Sequence, residues 1–242
     1  MNVDTPQAGA TFVLVHGSWG SGSDYAPLAA ILRRRGHNVF NPTLSGVGAR
    51  SHLAGLDITL TTHILDVVNL VRWEDLHDIV LVGHSYGGMV ITGVADRIPE
   101  RIASLVYLDA FVPEDGQALT DIGVSPEVDQ LFLAARARGE KLLPFPVAFI
   151  QPFQIAEKDL WRYTPQPVAT SVDPIALSGA WKTIGKKTYV RALGFDPGFK
   201  RFHDQLKNDP DWKVLTISSS HLVPQTAPRR CAEILEAASA DL

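Results

Sequence analysis

Serine 85 stands in the run Gly83-His84-Ser85-Tyr86-Gly87-Gly88, with a glycine two residues away on each side. That G-x-S-x-G spacing suits a turn from strand to helix so tight that larger flanking side chains would collide. Such a turn lifts the serine hydroxyl above the sheet edge, at a helix N-terminus where the dipole and free N–H groups favour negative charge. A hydroxyl is a weak nucleophile until a base takes its proton. Among the eight histidines, His221 directly follows the last apolar strand and precedes the last helix. It therefore emerges at the same carboxyl edge as Ser85 and can take the serine proton and later return it to a leaving group. His84, inside the turn, is expected to point away from the site, and His16 to make a structural hydrogen bond at the end of the first strand. His37, His52, His63, His77 and His203 are expected on solvated loops or helix faces.

An imidazole base needs a carboxylate to orient it, normally placed between serine and histidine in chain order. Asp109 and Asp196 both satisfy that order. Asp109 closes the apolar run Leu105-Val106-Tyr107-Leu108-Asp109-Ala110-Phe111, where an unpaired carboxylate would be costly and a histidine N–H would justify its presence. Asp196, in Leu193-Gly194-Phe195-Asp196-Pro197, also reads as a helix cap followed by a first-turn proline. Asp109 is the favoured acid and Asp196 the alternative. Negative charge on a tetrahedral intermediate needs N–H donors, and the pattern assigns them to the backbone of Tyr86, after the nucleophile, and of Ser18, in the loop His16-Gly17-Ser18-Trp19. That loop has neither the G-x-G-x-x-G order nor the Gly-Lys-Ser/Thr ending of a phosphate cradle. Nor does any H-E-x-x-H or His/Cys/Asp cluster point to a metal, so no cofactor is expected.

The elements that must position these groups alternate. Residues 11–16 (TFVLVH) form a compact apolar run stopped by Gly17, a buried parallel strand. Residues 25–35 are patterned as a helix, 38–41 as a short strand, and 60–73 as an amphipathic helix with Ile64, Leu65, Val67, Val68 and Val71 on one face. A strand at 78–83, a helix at 85–97 ended by Ile98-Pro99 and a strand at 103–109 follow. The rhythm returns with strands at 187–193 and 212–218 and helices near 199–207 and 228–238. Strands and helices alternate without hairpin signals, which predicts an α/β fold with a mostly parallel, doubly wound sheet. Residues 112–185 break the pattern with eight prolines and with Phe132, Phe145, Phe149, Phe153, Trp161, Tyr163 and Trp181. We read 1–111 and 186–242 as the core and 112–185 as a helical cap insertion whose aromatic residues roof an apolar pocket.

The chain's 242 residues can bury one sizeable core. A formal net charge of -4 gives no electrostatic reason to expect nucleic acid or an anionic membrane as partner. The single cysteine, Cys231, excludes an internal disulfide and falls in an apolar helical pattern, as a buried inert thiol. The first residues have no basic region followed by an apolar stretch, and no run approaches the ~18 apolar residues of a membrane span. A cytoplasmic protein is the expectation.

With His16-Gly17-Ser18-Trp19, the serine turn and His221 in place, the chain resembles the α/β-hydrolase superfamily over nearly its full length. More narrowly, Gly36-His37-Asn38-Val39 and the run through Gly88-Met89 are similar to the branch holding plant methyl-salicylate-type esterases, hydroxynitrile lyases and their bacterial relatives. The resemblance implies a cofactor-independent esterase with a Ser-His-Asp triad, often a homodimer, acting on a small-molecule ester. In the plant members the acid follows the strand matching residues 187–193, which puts Phe195 at that position and Asp196 one residue late. Asp109 instead matches the strand end from which some haloalkane dehalogenases supply their acid. The lyases carry threonine after the first-strand histidine and lysine after the catalytic one. Here those positions are Gly17 and Leu222, which argues against cyanohydrin cleavage. Hydrolysis of a carboxylic ester or lactone of a largely apolar substrate is the leading expectation. A receptor-like protein without turnover and a C–C bond hydrolase or lyase are the alternatives.

Overall fold

The computed structural model describes residues 9–195 and 198–240. The chain runs through β1 (Thr11–Val15), α1 (Ala26–Arg34), β2 (Asn38–Phe40), α2 (Leu60–Trp73), β3 (Ile79–His84), α3 (Gly87–Arg97) and β4 (Ile102–Leu108). It then leaves the sheet for α4 (Pro126–Ala137), β5 (Leu142–Leu143), β6 (Gln166–Pro167) and α5 (Ala169–Val172). It returns through β7 (Lys187–Ala192), α6 (Lys200–Leu206), β8 (Trp212–Ile217), α7 (Val223–Thr226) and α8 (Pro228–Ser239).

The six long-range strands form one sheet in the order β2-β1-β3-β4-β7-β8, every neighbouring pair parallel. The period-2 alternation of each strand divides the interior in two. Val13, Val15, Leu81, Leu105, Tyr107 and Tyr189 face one side, where they pack with Ile64, Val67 and Val71 of α2 and Val90, Ile91 and Val94 of α3. Phe12, Leu14, Val80, Val82, Val106 and Val190 face the other, against Leu28 and Leu32 of α1 and Cys231, Ile234 and Leu235 of α8. Strands buried on both faces explain the near-continuous apolar runs of the sequence. Cys231 sits inside the second layer, and burial pushes its thiol up to about 12, so it is inert packing.

The connection from β1 leads outward to β2, whereas β3 lies on the other side of β1. The strand order therefore reverses between β1 and β3, and the loops leaving their carboxyl ends diverge to open a crevice. Gly17-Ser18-Trp19 follows β1 and Ser85 follows β3, so both rims of the crevice carry residues named from sequence. Among the described residues, no helix is long and apolar enough to cross a membrane.

The turn after β3 tolerates no side chain at its flanks. A Cβ on Gly83 would lie 2.6 Å from the Gly87 carbonyl oxygen, and one on Gly87 would lie 2.4 Å from that of Val15. Gly87→Ala should lower stability by about 2 kcal/mol or more, as overpacking against rigid backbone does, despite the ~1 kcal/mol that alanine gains over glycine in a helix. A urea midpoint unchanged or raised in the variant would contradict this packing.

Candidate functional site

Ser85 occupies the left-handed region, at φ 54, two residues ahead of the first residue of α3 rather than inside the helix. Its N–H reaches the Leu108 carbonyl at 3.3 Å, and its carbonyl accepts from Gly88 and Phe111 N–H groups at 3.0 and 3.2 Å. The turn is thereby bonded to the end of β4 on one side and to its own helix on the other. Tyr86 is the helix N-cap, a position whose N–H has no intrahelical acceptor. Across the crevice Gly17 comes so close that a Cβ there would lie 3.1 Å from Ser85 Cβ and 3.2 Å from His84 Nδ1.

Asp109 directly follows β4, at φ 44, with no exposed surface. Its Oδ2 lies 2.7 Å from His221 Nδ1, while Oδ1 accepts the Ala192 N–H at 3.0 Å. Burial pushes the Asp109 carboxyl upward, and the Ala192 hydrogen bond opposes that rise. Burial drives the His221 imidazole below its ordinary value, so the resting ring is neutral. With Nδ1–H donated to Asp109, the remaining ring nitrogen, Nε2, is the one able to accept a proton. Asp196 lies outside the described residues.

Ser18, Ser85 and His221 line one cavity, enclosing about 670 Å³ of empty space that is partly continuous with solvent. Its wall is aromatic. Phe199 stacks on the His221 ring at 5.1 Å, with Phe153 and Phe195 at 4.9 and 5.0 Å. Phe132, Phe145, Phe149, Phe153 and Tyr163, all from the segment between β4 and β7, line it as well. Trp161 and Trp181 do not. Trp161 is exposed, and Trp181 is buried beside Trp212 in the sheet's core. Asp129 of α4 places a half-buried carboxylate on the wall. Burial raises it to about 6, against the pull of Arg201.

Two histidines depart from the sequence expectation. His84 does not point away: it lines the cavity, its ring lies 4.6 Å from that of His221, and its Nε2 donates to the His221 carbonyl at 2.8 Å. As the last residue of a fully buried strand, its side chain has nowhere solvated to go. His63 is not on a solvated face either. It has no exposed surface, donates from Nε2 to the Ser45 carbonyl at 2.8 Å and accepts the Tyr86 hydroxyl at Nδ1, at 2.9 Å. The inward position of His63 was readable from its place three residues after Leu60 and four before Val67, on the apolar face of α2. His16 does make structural bonds, to the Gly17 carbonyl at 2.8 Å and from the Leu44 N–H at 3.1 Å.

The family model described as "Alpha/beta hydrolase family" matches residues 12–234. This chain belongs to the alpha/beta hydrolase family. It is similar to a carbendazim hydrolyzing esterase of Nocardioides sp. (strain SG-4G), 43% identical over 94% of this chain and 99% of that one. Similarity to salicylic acid-binding protein 2 of Nicotiana tabacum is 32% over 44% of this chain and 41% of the relative. Among solved structures, an extracellular alpha/beta-hydrolase from a Paenibacillus species superposes with a TM-score of 0.81 at 26% identity, covering 96% of this chain and 100% of that one. That structure is described as sharing structural and functional homology with tobacco salicylic acid binding protein 2.

Burial holds His63 down at about 4, below the 6.5 to which the ring returns on unfolding. The unfolded chain therefore takes up this proton first, and the group removes stability as pH falls from 6.5 towards 4, with no effect above that window. Replacing it should flatten the dependence. Between pH 6 and 4.5 the stability difference between wild type and His63→Gln should shrink by roughly 1 kcal/mol per pH unit. Urea denaturation of both proteins across that range checks it, and parallel curves would show that the ring charges freely in the fold.

Proposed function

We propose that this protein is a serine carboxylesterase that cleaves carboxylic esters, or lactones, of small, largely apolar substrates through an acyl-enzyme on Ser85. The observation that carries this reading is the buried 2.7 Å bond between Asp109 Oδ2 and His221 Nδ1, at one end of a cavity that also opens on Ser85. A buried carboxylate holding a neutral imidazole is the arrangement that makes an adjacent hydroxyl nucleophilic. The family membership and the full-length similarity to a relative named as an esterase support it.

In the proposed reaction Ser85 Oγ attacks the ester carbonyl carbon while its proton moves to His221 Nε2. Asp109 stabilises the resulting imidazolium without accepting its proton. The carbonyl electron pair moves to the oxygen, which receives the Ser18 and Tyr86 N–H groups. The pair then returns, the ester C–O bond breaks, and His221 gives its proton to the departing alkoxide. Water repeats the sequence: His221 takes its proton, hydroxide attacks the acyl carbon, and Ser85 leaves as the alcohol, with the acid as product. Residues 112–185 form the roof of the site in this reading, and their phenyl rings bind the apolar part of the substrate while excluding water.

Ser85→Ala should lose at least a thousandfold in kcat on an aryl ester such as 4-nitrophenyl butyrate, and Asp109→Asn about ten-thousandfold. An aryl phosphonate should label Ser85. If Asp196→Asn rather than Asp109→Asn abolishes turnover, the acid has been misassigned, and labelling of another residue would end the reading altogether. Because the similar Nocardioides protein is named for hydrolysing carbendazim, that methyl carbamate of an aromatic amine is a natural member of the same panel.

The Asp129 carboxylate on a mostly apolar wall disfavours anionic substrates through charge repulsion. Between a neutral ester and its carboxylate-bearing counterpart, Asp129→Asn should narrow the difference in kcat/KM about tenfold, mainly through KM. An unchanged ratio would remove Asp129 from the binding surface.

A second reading is favoured by the similarity to a protein named for binding salicylic acid: a ligand held in the aromatic cavity with little turnover. Steady release of product over many turnovers supports the enzyme, whereas a single stoichiometric burst supports the binder.

A further inference from the structure

The loop after β1 reads Gly17-Ser18-Trp19-Gly20-Ser21-Gly22, and three glycines in six residues leave its backbone many alternatives. One of its residues is nevertheless held in the left-handed region without being glycine: Trp19, at φ 60. Three hydrogen bonds fix that residue, and all come from the segment between β4 and β7. Gln166 Oε1 accepts the Trp19 N–H at 2.8 Å, the Leu143 carbonyl accepts the Trp19 indole N–H at 2.9 Å, and the Thr164 N–H donates to the Trp19 carbonyl at 3.1 Å. Leu143 and Gln166 are register partners in the small antiparallel ribbon β5–β6. The ribbon thus delivers two acceptors side by side onto one residue.

Gln166 is buried, and its amide orientation is determined by its other partner. Its Nε2 donates to Thr170 Oγ1 at 2.8 Å, whose own hydrogen is spent on the Pro167 carbonyl at 2.6 Å. A hydroxyl so committed can only accept here, so the amide nitrogen faces Thr170 and the amide oxygen faces Trp19. Thr170 in turn lies beside the phenol of Tyr86, which is also bonded to His63. One buried polar chain therefore runs from the loop after β1 to Tyr86, the N-cap of α3.

We propose that Gln166 is a positioning residue that sets the two backbone donors of the oxyanion site, Ser18 and Tyr86, relative to Ser85; this rests on the serine-hydrolase reading above. By taking the Trp19 N–H, Gln166 withdraws it from the cavity and leaves the Ser18 N–H as the donor of that loop. By pinning Trp19 in a conformation its side chain disfavours, it stops the glycine-rich loop from relaxing and rotating the Gly17–Ser18 peptide away. Such a donor matters most in the transition state, when charge develops on oxygen, so its loss falls on kcat rather than on ground-state binding.

The test compares Gln166→Met, which keeps the length but removes both polar atoms, with Gln166→Glu, which keeps an acceptor for the Trp19 N–H. Steady-state kinetics on 4-nitrophenyl butyrate, inhibition by an aryl boronic acid that forms a tetrahedral serine adduct, and melting temperatures are measured for each. Gln166→Met should lose about ten- to a hundredfold in kcat with KM within about twofold, because a donor is displaced rather than deleted. The boronic acid should weaken by a similar factor. Gln166→Glu should recover most of the kcat although it buries a carboxylate and melts no higher than Gln166→Met. A purely structural role predicts the opposite order, with kcat following melting temperature, and that result overturns the proposal. So does wild-type kcat in Gln166→Met. If either variant does not fold, Thr170→Val, which releases the amide from its far side, should show the same kcat-only loss; unchanged kcat there overturns the proposal as well. Ser85→Ala, run in parallel, separates the two failures: activity surviving in it removes the serine reading, whereas its loss with unaffected Gln166 variants removes only the role of Gln166.

Discussion

Asp109 is a carboxylate with no exposed surface at the end of an apolar strand, and much of the molecule is organised to make that tolerable. Burying an ionised group without partners would cost far more than a domain's net stability. Two donors from distant parts of the chain supply the compensation, the Ala192 N–H at the end of β7 and His221 Nδ1 beyond β8. Both can reach it because β4, β7 and β8 are consecutive neighbours in the sheet, with their carboxyl ends at one edge. Removing either donor would leave one oxygen of the buried carboxylate without its partner. The pair therefore ties the last third of the chain to its centre as firmly as it orients the imidazole.

Backbone strain collects at the same edge. Trp19 after β1, Ser85 after β3 and Asp109 after β4 are non-glycine residues at positive φ, a conformation that costs of order 1–3 kcal/mol each. Each is held by bonds that do not depend on its own side chain's preference. The Ser85 N–H and carbonyl are taken by β4 and α3, the Asp109 N–H by the Val190 carbonyl at 2.7 Å, and Trp19 by the β4–β7 segment. Three successive strand ends thus turn sharply at one edge, which is how Trp19 and Ser85, 66 positions apart, come to line one cavity.

The buried histidines are each answered by hydrogen bonds to other parts of the chain. His16, His63 and His84 are neutral donors and acceptors that stitch loops to strands, and burial lowers all three, to about 4, 4 and 3. His84 is the least expected of them. Its bond to the His221 carbonyl braces the backbone of the residue whose ring meets Asp109, so the turn carrying Ser85 also supports the imidazole opposite it.

Chain order, apolar runs and glycine spacing were enough to define the parallel sheet, the turn at Ser85 and the histidine that follows β8. These features come from local sterics and from strands buried on both faces, which write themselves into contiguous residues. The role of burial in making Asp109 need a partner was also legible, because a carboxylate inside an apolar run has few ways to be satisfied. The inward turn of His84 and the grip of Gln166 on Trp19 were not. Nor was the division of the aromatic residues between the cavity and the sheet's core, where Trp181 resides, or solvent, where Trp161 lies. Those depend on which face of one element meets which loop of another across more than a hundred residues, and hydrogen bonds at such separation leave no periodicity in the chain. Tertiary packing alone decides them.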